Sequence, residues 1–364
     1  VTEALVVGGG PAGAAAAITL ARGGACVTLV EREAGAREKV CGEFLGPDAA
    51  RLLEGLGLSL PGLGAVPIGG AMLAAGPREA CWSLPFTAWS LPRAVLDEAL
   101  LALAQGAGAR VLRGRAVAGA AREGAAWSLR LSDGAALRAG ALVLATGKHE
   151  LRGHARPVPG GAVGLKLPLR LEEPLRDTVV LLPFAGGYAG LQPRAGGGAN
   201  LCAALRAARA EARDPAALLA RVAAGSARAA SLLRGAEPLL PRPLAVARVP
   251  YGFRHRDAGE AEPGLYRIGD QFAVVPSLAG DGVAMALEGG VAAARAILAG
   301  EGAGAFHAAL NRRFDRPMRW SGLVARGMAA APGALALAAG AMPGLARLAA
   351  ARMRVPGPGG FTRA

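Results

Sequence analysis

The chain has 364 residues, enough for about two domains with a sizeable core. Its net charge is +14, but the arginines are scattered and no aromatic–basic module is visible, which argues against a nucleic-acid partner. The apolar fraction of 52% is inflated by alanine, and Lys39, Lys148 and Lys166 are the only lysines, so the Ala/Gly/Arg excess reads as compositional habit. The chain opens on a short apolar strand, residues 1–7, that runs into Gly8-Gly-Gly10-Pro11-Ala12-Gly13. An Ala-rich helical stretch from Ala14 to Arg22 follows, then the apolar strand Cys26–Val30, ending in Glu31. Each part has a physical job in holding a dinucleotide. Gly8 permits a tight turn, Gly10 lets backbone approach a pyrophosphate, and Gly13 lets the helix pack on the strand. The helix N-terminus offers unpaired N–H groups and a partial positive charge to the phosphates. Glu31 stands where an acid accepts from a ribose hydroxyl. A chance Gly-rich turn does not bring strand, glycines, helix, strand and acid into register.

Further along, Trp82 to Arg93 is punctuated by Pro85 and Pro92, and apolar residues recur at helical spacing from Ala94 to Gln105. Strands are predicted at 109–112, 116–121 and 127–131, with Ser132-Asp-Gly134 turning the last of them back. Ala141–Ala145 reads as a buried strand closing in Thr146-Gly147. Between 163 and 205 the pattern alternates like a separate antiparallel sheet, with strands at 163–167, 178–182, 188–192 and 199–203. Residues 207–234 read as helical. A strand returns at Gly264–Ile268, followed by Gly269-Asp270, a Gly/Pro loop and a helix of small residues from Gly282 to Leu298.

The fold class expected is α/β: a Rossmann-like nucleotide-binding domain of discontinuous segments, an inserted antiparallel-sheet substrate domain and C-terminal helices. Residues 1–67, 93–150 and 262–300 are assigned to the first, 68–92 and 151–261 to the second, and 301–364 to the third. The widely spaced Cys26, Cys41, Cys81 and Cys202 contain no C-x-x-C, so neither a redox dithiol nor a zinc knuckle is expected, and Cys26 is expected to be inert core. No metal site is expected, because His149, His154, His255 and His307 include no i, i+4 pair. The sequence opens inside its first strand, and a cytoplasmic location is expected.

From Glu301 to Ala364 nine arginines face only Glu301 and Asp315, a local charge of +7. A solvated basic face is the plain reading of that region; peripheral contact with a membrane surface is the sharper one. The uncharged run Gly327–Ala346 has the length of a membrane span, but its prolines, glycines and alanines favour two short packed or interfacial helices.

The glycine fingerprint, Glu31-Arg32, Lys39-Val-Cys41-Gly42-Glu43, Ser90–Asp97, Ala145-Thr-Gly147, Gly269-Asp270 and Gly280–Val283 together resemble FAD-dependent monooxygenases of the aromatic-hydroxylase fold. The nearest branch holds geranylgeranyl reductases and flavin halogenases. The resemblance implies non-covalent FAD. It places Gly8, Gly10, Pro11, Ala12 and Gly13 on the pyrophosphate, Glu31 and Arg32 at the ribose, and the Val117 backbone at the adenine. It also places Cys41, Gly42, Gly280, Gly282 and Val283 near the flavin ring, and Arg93 and Asp270 on the phosphate and ribityl region. The tryptophan of the reductases' aromatic motif is replaced by Gly190, and the halogenases' paired-tryptophan motif is absent.

No second G-x-G-x-x-G follows a strand, so NAD(P)H would visit transiently or a reductase partner would supply electrons. The reaction expected first is hydroxylation or epoxidation of a lipophilic or aromatic, polyketide-like small molecule. Reduction or dehydrogenation of a carbon–carbon bond is the alternative, and halogenation the third. Candidate substrate contacts are Tyr188 and Gln192, which alternate onto one face of a strand, Lys166, which either faces the site or pairs at the surface, and His149 in the loop after Thr146-Gly147. His149 and His154 flank Arg152 in a loop that can approach cofactor or substrate, and the plain reading of each is a surface residue.

Overall fold

A computed structural model describes residues 2–157, 160–208, 210–257 and 261–357. Val1 and residues 358–364 of the C-terminal region, Arg363 among them, lie outside the described residues.

β1 (Glu3–Val7) leads through α1 (Pro11–Arg22) to β2 (Cys26–Glu31). After β3 (Phe44–Leu45) and α2 (Pro47–Leu56) come the long strands β4 (Val66–Ala75) and β5 (Arg78–Ser90), then α3 (Arg93–Gly106). β6 (Arg110–Arg113) precedes the meander β7 (Val117–Glu123), β8 (Ala126–Leu131) and β9 (Ala136–Ala139), which ends in β10 (Ala141–Leu144). Next stand β11 (Ala162–Arg170), β12 (Thr178–Phe184), β13 (Gly187–Pro193) and β14 (Gly198–Leu205). Two short helices follow, α4 (Pro215–Ala223) and α5 (Ala227–Leu232), then β15 (Glu237–Pro238), β16 (Leu244–Val249) and β17 (Leu265–Arg267). The chain closes with α6 (Gly282–Leu298), α7 (Ala303–Ala330), α8 (Pro332–Ala341) and α9 (Pro343–Arg352).

Five strands make a parallel sheet in the order β17-β10-β1-β2-β6. Segments distant in sequence are thus neighbours in one nucleotide-binding layer. β1 and β10 are buried on both faces, as central parallel strands require. α1 and α6 cover this sheet together, and their contact explains the small residues of α6. A Cβ on Gly290 would lie 2.2 Å from the Ala12 carbonyl oxygen and 3.0 Å from the Ala15 Cβ, so only glycine lets the two backbones approach.

The second sheet has nine strands, in the path β15-β11-β14-β13-β12-β4-β5-β3, with β16 also paired to β11. It departs from the expected purely antiparallel pattern at one seam, where β12 runs parallel to β4. β4 arrives from another part of the chain, so no hairpin constrains the direction of that pair.

Three further expectations are corrected. Cys26 is exposed, because it begins β2 at the rim of the sheet rather than inside it. The 207–234 stretch is not one helix: Asp214 and Ser226 each cap a new N-terminus through their side chains, and residues 211–213 form a turn. His154 is buried, edge-on to the Trp127 ring at 5.5 Å, because the loop after β10 folds back over β8.

Candidate functional site

A single cavity of about 640 Å³ runs from the α1 N-terminus, between the two sheets, to helices α7–α9. Its polar end is built from the glycine turn. Gly8 has φ +107°, and a Cβ on Gly13 would lie 1.9 Å from the Gly8 carbonyl oxygen, so the turn and the helix start are locked against each other. Pro11 is the first residue of α1, and Gly10 offers no side-chain cap, so the helix N-terminus is left open toward the cavity wall formed by Gly10, Pro11 and Ala12. Glu31 accepts from the Gly9 amide at 2.6 Å and from the Glu33 amide at 2.9 Å.

Arg93, at the start of α3, also lines this end. Its guanidinium makes a bidentate pair with Asp97 at 2.8 and 2.9 Å, and Lys39 joins the same carboxylate at 2.9 Å. Burial opposes the charge on Asp97, but Arg93 and Lys39 outweigh it and hold the carboxyl below its usual range. Opposite stands Asp270, 3.2 Å from Lys148, and attraction to Asp270 lifts the Lys148 ammonium above its ordinary value. The α6 N-terminus completes this end, with Gly280, Gly282 and Val283 in the wall. Gly280 has φ +70°, and a Cβ there would meet the Phe44 ring at 2.4 Å.

Cys41 and Gly42 form part of the wall between these groups. The buried Asn200 pins their loop by donating to the carbonyls of Cys41 (3.1 Å) and Gly42 (3.0 Å). Gln271 does the same for the loop after β10, donating to the carbonyls of Gly147 and His149 at 2.9 Å each. Glu43, with φ +63°, accepts from the Arg93 amide at 2.9 Å and is fully buried against Lys166.

The sequence candidates are distributed unevenly. Tyr188 and Gln192 do share a face and line the cavity, but their polar ends are engaged. The Tyr188 hydroxyl is 2.5 Å from Ser277 Oγ and accepts from the Leu278 amide at 3.2 Å; burial pushes it up to about 12. Gln192 donates to Ser90 Oγ at 2.8 Å. Lys166 is neither at the surface nor in the wall: it is fully buried beneath the cavity and donates to both Glu38 and Glu43, while Arg194 lies 2.6 Å from Glu38. Burial pushes the Glu43 carboxyl up despite this company. His149 is exposed, outside the cavity wall, with its Nε2 2.8 Å from Arg32. Val117 and Glu31 likewise do not line the cavity.

Sequence reasoning missed Lys148, Asn200 and Gln271. One signal was available for Lys148. All three lysines of this arginine-rich chain sit around the polar end, each against a carboxylate. The others carried none, because their partners come from remote segments. The fold also gathers His255, Asp257 and His307, whose ligand-type atoms lie within 4.8 Å of one another. His307 Nε2 accepts from the Arg267 amide at 3.0 Å, which leaves Nδ1 as the N–H facing Asp257 at 3.2 Å. Both ring nitrogens are thereby committed to hydrogen bonds.

The other end of the cavity is apolar. Trp82, Leu84 and Phe86 of β5 and Leu181 of β12 face Met328, Leu335 and Leu345 from the C-terminal helices. The polar end suits an extended dinucleotide: an open helix N-terminus for phosphate, cations and an acid along the groove, and a second helix N-terminus beyond them. These features define a flavin-dependent oxidoreductase built on the aromatic-hydroxylase fold.

Residues 1–133 match the family model described as FAD binding domain. A menaquinone reductase from Mycolicibacterium smegmatis is 30% identical over 323 residues, 82% of this chain and 76% of that protein. The chain belongs to the family of FAD-dependent oxidoreductases that includes this reductase. A 6-methylpretetramide 4-monooxygenase from Streptomyces rimosus is 47% identical over 57 residues, 16% of this chain and 14% of that protein. Among solved structures, the flavin-dependent brominase Bmp2 superposes with a TM-score of 0.78 at 18% identity, covering 97% of this chain and 93% of that one, a likeness of fold.

Proposed function

We propose that this protein is an FAD-dependent reductase of a carbon–carbon double bond in a lipophilic molecule that carries a long apolar chain. The observation that carries this reading is the shape of the cavity, which joins a dinucleotide-type polar end to an apolar end lined by β5, β12 and α7–α9. The similarity to a menaquinone reductase over 323 residues supports it.

In this reading residues 1–67, 93–150 and 262–300 form the cofactor domain, 68–92 and 151–261 the substrate domain, and the 301–364 region contributes the helices α7–α9 that close the apolar end. Bound FAD supplies the hydride, charged by NAD(P)H or a reductase partner. Gly10, Pro11, Ala12 and the α1 N-terminus hold the pyrophosphate, backed by Arg93. Gly8 and Gly13 shape the turn, and Glu31 with Arg32 sets the ribose side, near the Val117 backbone. Asp270 and Lys148 flank the ribityl chain. Cys41, Gly42, Gly280, Gly282 and Val283 would border the ring, where the partial positive charge of the α6 N-terminus would stabilise negative charge. Tyr188 and Gln192 shape the substrate wall. The aromatic and aliphatic side chains of β5 and α7–α9 exclude water from the reacting bond.

Monooxygenation of a polyketide-like substrate is the second reading, favoured by the short 47% match to the Streptomyces rimosus enzyme. High-resolution mass spectrometry of lipid and small-molecule extracts from source cells with and without the gene separates the two. A precursor accumulating two hydrogens lighter than the missing product is expected. A missing product one oxygen heavier than its precursor would replace reduction by oxygenation.

A further inference from the structure

Helix α8 carries no charged side chain. A helix that is apolar all round belongs inside a protein or against lipid, yet α8 leaves Leu337 57% exposed. The neighbouring surface is similar, with Met342 at 50% and Leu345 at 53% exposed beside it, and Leu323 at 54% on α7. Single exposed apolar residues are ordinary, but this concentration on consecutive helices is not. Leu323, Leu345 and Leu348 are exposed and also line the cavity, so they stand at its mouth. Arg319, Arg326, Arg347 and Arg352 are exposed on the same helices. The one acid in α7–α9, Asp315, is already paired with Arg254 and Arg319. No single described helix is long and apolar enough to cross a membrane, and α7 and α8 meet at a 117° bend. An apolar rim set among exposed arginines, with a single acid on these helices, is the pattern of a surface that lies in a lipid interface without spanning it.

We infer that the α7–α9 end docks on an anionic lipid surface and that the cavity mouth opens there, so that the substrate passes from bilayer to active site without crossing water. This deepens the lipophilic-substrate reading and rests on it for the word substrate; the docking itself is tested without turnover.

The FAD-loaded full chain is floated with vesicles of phosphatidylcholine alone and with vesicles of equal phosphatidylcholine and phosphatidylglycerol. Strong co-migration with the anionic vesicles, weakened by salt, is expected, and much less with phosphatidylcholine alone. Removing two arginines (Arg326→Ala with Arg347→Ala) lowers partitioning about 30-fold, on about 1 kcal/mol for each charge near the surface. Leu345→Glu with Leu348→Glu abolishes it, while flavin absorbance and melting temperature show that the variant is folded. Absence of co-migration, or co-migration indifferent to the leucine pair, overturns the inference. A dimer in sedimentation equilibrium that the leucine pair dissociates would also overturn it, assigning the rim to a second copy. If vesicles bind as expected but the cells' missing product is an oxygenated one, the docking stands and the reductase reading falls.

Discussion

The Arg354 guanidinium lies 2.7 Å from the Asp281 carboxylate, with Arg354 almost entirely and Asp281 wholly shielded from water. Arg354 also donates to the Ala279 carbonyl, and the adjacent Val355 amide donates to Asp48 at 2.8 Å. The end of the described chain is thus stitched to the loop that opens α6, beside the cavity. Burial pushes Asp281 well up even with Arg354 beside it. Removing one partner from a buried pair leaves the other uncompensated. Arg354→Leu should destabilise the fold by about 3–5 kcal/mol at neutral pH in urea titration. The deficit should shrink in mild acid as Asp281 takes up a proton, and Asp281→Asn added to Arg354→Leu should recover most of it.

Lys166, Arg194, Glu38 and Glu43 form a second closed charge group, two cations against two carboxylates. Lys166→Met leaves the carboxylates facing each other with Arg194 alone. A loss of about 3–5 kcal/mol is expected, with part recovered by adding Glu43→Gln. Glu43 also holds the Arg93 amide, so FAD retention after gel filtration should fall in the single variant.

His307 predicts a pH dependence. Burial holds its pKa down to about 4 from 6.5, despite the attraction of Asp257. A group depressed in the folded state binds more protons when unfolded. Its stabilisation is therefore complete above pH 6.5 and is lost as pH falls toward 4, about 3 kcal/mol in all. Chemical denaturation across this window should show the slope, and His307→Phe should flatten it.

Two glycines three residues apart should fail differently. Gly13→Ala brings a methyl 1.9 Å from the Gly8 carbonyl oxygen and should prevent stable folding of the first βαβ unit. A Cβ on Gly10 meets nothing nearer than Arg93 Nη2 at 3.4 Å, yet it points where the backbone must approach phosphate. Gly10→Ala should therefore melt within a few degrees of the parent while binding FAD at least ~10-fold more weakly by fluorescence titration. Equal loss of folding in both would remove the distinction.

The nucleotide-binding half was readable because its signals are local. Strand, glycine turn, helix and acid lie within residues 1–31, and the small residues of 282–298 are a legible trace of close helix packing. The strands of the second sheet were readable for the same reason, since period-2 alternation is a property of one segment. What the sequence determined, then, was cofactor class, strand content and the glycine-dependent turns, each governed by residues adjacent in the chain. Tertiary structure alone decided the parallel seam between β12 and β4, the burial of Lys166 between carboxylates 123 and 128 positions away, and the pairing of Arg354 with Asp281. It also decided that three exposed leucines stand at the mouth of the cavity. Those features depend on which distant segments share a dry space, and the free energy of a charge or an apolar face is set by that space rather than by its neighbours in sequence.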